Sequence, residues 1–173
     1  MVMAMLITLF YWVLLAFLLV SAALILYPMI NGAVFFPAKL RAIEAMLALA
    51  NAKPGDTFVD LGCGDGRVLI AFAKKGVVSH GYEVNPLLVL MSKYKVKKAG
   101  VPGLAFVHWK NMWKVDLSNF DIISIYGFPH IMLRFARKLK DEAKVGSRIL
   151  SNVYKLPNWK EGKSIGGVRL YVK

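Results

Sequence analysis

Nine consecutive residues, Val59-Asp60-Leu61-Gly62-Cys63-Gly64-Asp65-Gly66-Arg67, carry the densest potential chemistry in the chain. Alternating glycines let a backbone turn tightly and approach a ligand with no Cβ in the way. The spacing is G-x-G-x-G, whereas a dinucleotide-binding turn has G-x-G-x-x-G, whose third glycine would fall where Arg67 stands. Asp60 and Asp65 flank the turn, and carboxylates repel a phosphate. They suit a ligand that carries an ammonium and a sulfonium but no phosphate. Glu83 follows Asp60 by 23 positions and closes the next predicted strand, where a carboxylate accepts hydrogen bonds from ribose hydroxyls. Taken singly, Asp60 reads equally as a turn or helix-capping residue, and Glu83 as a solvated loop acid. Together, at the ends of adjacent strands, they point to S-adenosyl-L-methionine, with Asp60, Gly62, Cys63, Gly64, Gly66 and Glu83 as the candidate cofactor site.

Methyl transfer from a sulfonium is an in-line displacement, so a protein that performs it mainly aligns donor and acceptor and excludes water. An amine acceptor must first lose its proton, which a desolvated pocket promotes without a dedicated base. Tyr126, Phe128 and Pro129, at the end of a predicted strand, are candidates for the apolar wall of that pocket, although a strand-end Phe or Pro is as readily core. His130 is the candidate base. Cys63 reads as a small turn residue, with no His or Lys near it in sequence to activate a thiol. The three histidines, His80, His108 and His130, lack metal-ligand spacing.

The elements that would position these residues alternate. A helix is predicted over 38–52 from the apolar spacing of Leu40, Ile43, Met46, Leu47 and Ala50. Strand 57–61, the glycine turn and helix 67–75 follow, then strand 77–82, helix 86–99 and strand 105–109. An almost wholly apolar strand at 121–126 reads as buried on both faces. Helix 131–144 and strands 148–154 and 168–172 complete the pattern. Alternating strands and helices imply a doubly wound parallel sheet with its ligand at the carboxyl ends of the strands. The last two strands have no helix between them, so the final one is expected to run antiparallel.

Ahead of this domain the chain changes character. Of 173 residues, 57% are apolar and the net charge is +13, yet the first charged residue is Lys39. That composition excludes disorder, a collagen-like chain and a disulfide-built miniprotein. A single cysteine forbids an intrachain disulfide and fits a reducing compartment. Residues 1–27 contain no charge, Pro or Gly, and a helix of that length is about 40 Å long, enough to cross a bilayer. A signal peptide would need a basic start, which is missing. Residues 1–27 are therefore predicted to be a transmembrane helix with Tyr27 as aromatic anchor. Residues 28–37, with Pro28, Asn31, Gly32 and Pro37, form a linker, and residues 38–173 form the domain. Lys39 and Arg41 place that domain on the cytoplasmic or matrix side of a single-pass membrane protein.

Lys93, Lys95, Lys97 and Lys98 surround Tyr94, and Arg134, Arg137, Lys138 and Lys140 form a second basic cluster. Both read either as solvated helix faces or as contacts with anionic membrane lipid. Specific nucleic-acid binding is not expected, since no aromatic RNA-binding or helix-turn-helix pattern is present.

With these residues in view, four blocks bear a family resemblance: Val59 to Arg67, then Gly81-Tyr82-Glu83-Val84-Asn85-Pro86, then Trp113-Lys114-Val115-Asp116-Leu117-Ser118, then Tyr126-Gly127-Phe128-Pro129. They resemble the seven-strand S-adenosylmethionine-dependent methyltransferases. More narrowly, they are similar to the membrane-anchored lysine methyltransferases of mitochondria that modify the ATP synthase c-subunit and the adenine nucleotide translocase, and to their prokaryotic relatives. The likeness spans residues 32–173. It implies a Rossmann-like seven-strand α/β sheet and a membrane-protein substrate methylated on lysine. It further implies that Asp60, Gly62 and Gly64 line the methionine part of the cofactor and that Glu83 holds the ribose. Asn111 stands where many relatives carry an acid for the adenine amino group, and Trp113 either packs on the adenine or belongs to the core. Little chain lies between Tyr154 and Val168, so the C-terminal end of the fold is expected to be reduced. The competing functions are methylation of a lipophilic small molecule, such as a quinone or lipid, and a non-catalytic membrane-associated binding module.

Overall fold

The computed structural model describes residues 1–31 and 35–173. Gly32, assigned above to the linker, and the side chain of Tyr27 lie outside what is described. Two units emerge, 1–34 and 35–173.

The first unit is one helix, α1 (Val2–Asn31). Its stretch Val2–Ala23 is long and apolar enough to cross a membrane. The hydroxyls of Thr8 and Ser21 within that stretch bond to carbonyls one turn back, on Ala4 and Phe17, so neither needs water. The helix does not stop at Tyr27. It continues through Pro28 to Asn31, because a proline removes only its own amide donor and the residues after it can still bond backwards.

The second unit contains α2 (Leu40–Ala50), β1 (Thr57–Leu61), α3 (Arg67–Ala73), β2 (Val78–Glu83), α4 (Pro86–Lys98), β3 (Ala105–Trp109), β4 (Ile122–Ile125), α5 (Pro129–Glu142), β5 (Arg148–Asn152), β6 (Ser164–Ile165) and β7 (Val168–Val172). The strands form one sheet in the order β3-β2-β1-β4-β5-β7-β6. The first five are parallel, and β7 runs antiparallel to both β5 and β6. The expected antiparallel final strand is therefore present. The two-residue β6 escaped sequence reading because so short a segment has no periodicity to read.

Strand alternation divides the core between two faces. Phe58, Ile122, Leu150 and Val168 pack with α2, α3 and Val96 of α4 on one face. Val59, Ile123, Ile149 and Tyr171 pack with α5 and the 112–120 segment on the other. Phe58 and Phe72 stack with ring centroids 3.9 Å apart and no solvent exposure, fixing α3 on β1. Arg148, at the start of β5, donates to the carbonyls of Ala50 and Asn51 and pairs with Asp56 at 2.8 Å. One guanidinium thus caps α2 and holds the approach to β1.

Helix boundaries follow their caps. The Asn85 side chain accepts from the amides of Leu87 and Leu88, with Pro86 in the first helical position of α4. Pro129 plays the same part in α5, which therefore starts two residues earlier than its apolar period suggests. Because β1, β2 and β4 are parallel neighbours, the glycine turn, Glu83 and the residues after Ile125 all emerge at one edge of the sheet. Phe72→Ala is expected to lower the stability of the domain by about 3–5 kcal/mol, measured by urea denaturation of the full chain in detergent.

Candidate active site

Glu83 ends β2 with a carboxylate that is almost fully buried. One oxygen accepts from the Gly64 amide at 3.0 Å. The other accepts from Val84 at 2.8 Å and Asn85 at 2.9 Å. In return, the Tyr82 carbonyl accepts from the amides of Gly62 and Cys63 at 2.9 and 3.1 Å. The end of β2 therefore holds the glycine turn through both main chain and side chain. A carboxylate can accept about four hydrogen bonds, so these three leave Glu83 capacity for a further donor.

Several residues in and around the turn accept no larger side chain. Gly62, Gly64 and Gly66 all have positive φ, at +84°, +54° and +78°. A Cβ on Gly66 would lie 2.1 Å from the hydroxyl of buried Ser92. A Cβ on Gly81 would lie 2.8 Å from the Cys63 sulfur, so Cys63 fits by nesting over a glycine of β2. Burial first, then the carboxyls of Asp60 and Glu83, push the Cys63 thiol up. It is a packing residue, in keeping with the turn role expected of it.

Asp60 and Asp65 behave oppositely. Asp60 is buried in β1 opposite Ser124 of β4. Burial raises its pKa to about 7, Glu83 and Asp65 add to the rise, and a hydrogen bond from Ser124 offsets part of it. Asp65 is equally hidden, and burial works in the same direction. However, Arg67 at 2.7 Å and Lys95 at 2.6 Å outweigh it and hold this carboxyl at about 2. The expectation that both acids would face a cation is corrected: Asp65 is already neutralised by two cations of the chain itself. Lys95 likewise leaves the basic cluster to which its sequence position assigned it.

At the end of β4, Tyr126 is half-buried while Phe128, Pro129 and His130 are exposed. Phe128 and His130 stack at 6.1 Å. Asn111 follows β3, and its side-chain carbonyl accepts from the Trp113 amide at 3.0 Å, capping the short turn Met112–Lys114. Trp113 lies edge-on to Phe135 and under the Arg134 guanidinium, 4.0 Å from the ring centroid. It packs against α5, as the core alternative held.

Two features were invisible in the sequence. Residues 35–38, read as linker and helix start, lie over the turn. The Phe35 ring comes within 2.9 Å of where a Gly64 Cβ would stand, Phe36 meets Tyr126 edge-on at 6.0 Å, and Arg67 donates to the Ala38 carbonyl at 3.1 Å. An aromatic pair ahead of a proline has no periodicity to announce such packing. The histidines are also not all scattered. His80 and His108 meet through ring nitrogens 3.0 Å apart, and burial lowers the pKa of both. Among the described residues no group of three or more His, Cys, Asp or Glu could hold a metal ion.

A doubly wound sheet of this order, with a glycine turn after β1 held by an acid at the end of β2, defines a Rossmann-like fold of the methyltransferase class. An RNA methyltransferase from Salinibacter ruber, solved with S-adenosyl-L-homocysteine, superposes with a TM-score of 0.73 and 26% identity over 79% of this chain and 91% of its own. The chain belongs to the ANTKMT methyltransferase domain family, whose model matches residues 60–163. It is 38% identical over 125 residues to the ATP synthase c-subunit lysine N-methyltransferase of Homo sapiens, covering 72% of this chain and 53% of that protein. It is 35% identical over 130 residues to the adenine nucleotide translocase lysine N-methyltransferase of Mus musculus, covering 75% and 56%. A protein-lysine N-methyltransferase of Saccharolobus islandicus (strain REY15A) is 29% identical over 127 residues, covering 72% and 79%. The chain spans a little over half the length of the human and mouse relatives it matches.

Three variants test this geometry. Folded Asp60 keeps its proton up to about pH 7, whereas an unfolded aspartate releases it near 4. The stability linked to that proton is complete below the unfolded value and is lost as pH rises through the folded one. Asp60→Asn is expected to raise the melting temperature at pH 7.5, with the gain shrinking to nothing near pH 4. Glu83→Ala strands the amides of Gly64, Val84 and Asn85 and is expected to cost about 2 kcal/mol or more. Glu83→Gln keeps a carbonyl oxygen for them and is expected to cost less, both read from urea midpoints.

Proposed function

We propose that this chain is an S-adenosyl-L-methionine-dependent methyltransferase acting at a membrane on a lysine side chain of a membrane protein. The observation that carries the reading is the buried Asp60 carboxyl, unpaired with any cation among the described residues, beside a glycine turn held by Glu83. A carboxyl poised at about 7 ionises readily when a cation is placed against it, which suits the ammonium and sulfonium of this cofactor. Glu83 has acceptor capacity left for ribose. Asn111 follows β3 with a side-chain carbonyl, a group that suits the adenine amino group as acceptor. The cofactor would supply an activated methyl group.

On the acceptor side, Tyr126, Phe128 and Pro129 form the wall of the lysine entry, joined by Phe36 through its contact with Tyr126. Aromatic and apolar surface removes water from the incoming ammonium and lowers its pKa, so the neutral amine can form. His130, stacked on Phe128, takes the released proton. The names of the human, mouse and archaeal relatives support a protein lysine as acceptor. The apolar helix Val2–Ala23 supports attachment to a membrane, and Lys39 and Arg41 support a domain on the cytoplasmic or matrix side.

The test uses membranes that contain the full chain, supplied with methyl-labelled S-adenosyl-L-methionine and then separated into protein and lipid. Label is expected in methyl-lysine after hydrolysis of the protein fraction, and Asp60→Asn is expected to reduce it at least tenfold (about 1.4 kcal/mol). Label in the lipid extract instead would assign a lipophilic small-molecule acceptor. Calorimetry showing no cofactor binding would leave a non-catalytic module.

A further inference from the structure

We propose that the outward face of α4 is a docking surface for an anionic bilayer. The proposal rests on the membrane reading above and adds a second contact with the bilayer, made by the folded domain. α4 turns Leu88, Val89, Ser92 and Val96 inward. On its opposite side Leu87, Leu90, Met91 and Tyr94 follow one another at helical spacing and are 63%, 65%, 41% and 65% exposed. Four large apolar side chains in one stripe are far more than the isolated exposed residues normal on a soluble surface. Trp109, 69% exposed, stands beside the start of the helix with its indole N–H on the Val84 carbonyl at 3.0 Å. Tyr and Trp, with apolar rings and polar tips, are the side chains that settle at headgroup level.

Charge selects the occupant. α4 has no acidic residue. At 100° per residue, Lys98 continues the line of the stripe one turn beyond Tyr94, while Lys93 and Lys97 flank it beside Leu90, and all three are exposed. Lys95 is withdrawn onto Asp65, so the cationic border runs along one flank of the apolar stripe and around its C-terminal end. An exposed apolar stripe edged by lysines suits a bilayer interface, where each basic residue near an anionic leaflet gains attraction. A second copy of the chain fits poorly, because a two-fold contact would set these lysines against one another. A domain tethered to a membrane also meets that surface at high effective concentration.

The full chain is reconstituted in vesicles of phosphatidylcholine with and without phosphatidylglycerol. A polarity-sensitive fluorophore is carried on Leu90→Cys or Tyr94→Cys, with Arg137→Cys on α5 as the reference; native Cys63 is buried and does not compete for label. At positions 90 and 94, emission is expected to shift to the blue and to be quenched by chain-labelled lipid several-fold more than at 137. The effect should strengthen with phosphatidylglycerol and weaken when Lys93, Lys97 and Lys98 are changed to Gln. Equal quenching at all three positions in a chain that floats with the vesicles overturns the docking surface alone. A blue shift that rises with protein density but resists lipid quenching also overturns it and assigns the stripe to a protein contact. A chain that does not float with vesicles overturns the membrane reading and the docking with it.

Discussion

The site depends on one carboxylate. Glu83 ends a central strand and gathers the amides of Gly64, Val84 and Asn85, so a side chain on β2 closes the loop that leaves β1. Its own carbonyl accepts from Lys110, which brings the end of β3 to the same point. A buried carboxylate is tolerated when hydrogen bonds make up for its lost hydration, and here three backbone amides supply them, with room for one more donor. The glycine turn can bend as it does because its three positive-φ positions, Gly62, Gly64 and Gly66, carry no Cβ, and it stays bent because Glu83 holds it.

Around that anchor the chain separates two acids of nearly identical sequence setting. Asp60 and Asp65 are five residues apart and both buried, yet only Asp65 has Arg67 and Lys95 against it. The unpaired Asp60 is the carboxyl proposed to meet the cationic cofactor, and the paired Asp65 is a strut that ties α3 to α4. The net charge of +13 thus conceals a small acidic interior at the carboxyl edge of the sheet.

The proposed acceptor side is built from more distant pieces. Tyr126 comes from the end of β4, and Phe36 and Phe35 come from the segment ahead of α2. Between β5 and β7 the described chain holds only the short β6, so little additional structure covers this edge. Segment 35–38 takes up part of that space, with Phe35 over Gly64 and Arg67 bonded to the Ala38 carbonyl.

By itself the sequence determined whatever arises within a few residues along the chain. The alternation of strands and helices followed from apolar periodicity, the turn from G-x-G-x-G, and the strand-end position of Glu83 from the run before it. The start of α5 was missed by two residues because a proline cap outweighed the apolar period. Tertiary structure alone decided which acid is paired, since Lys95 reaches Asp65 across 30 positions and a row of lysines reads as one solvated face until one of them turns inward. It also decided that His80 and His108 touch, that Trp113 lies under Arg134, and that Phe35 covers the turn. In each case the partner is brought by the packing of another element, and the energy of such a contact belongs to the pair. No pattern in either local segment records it.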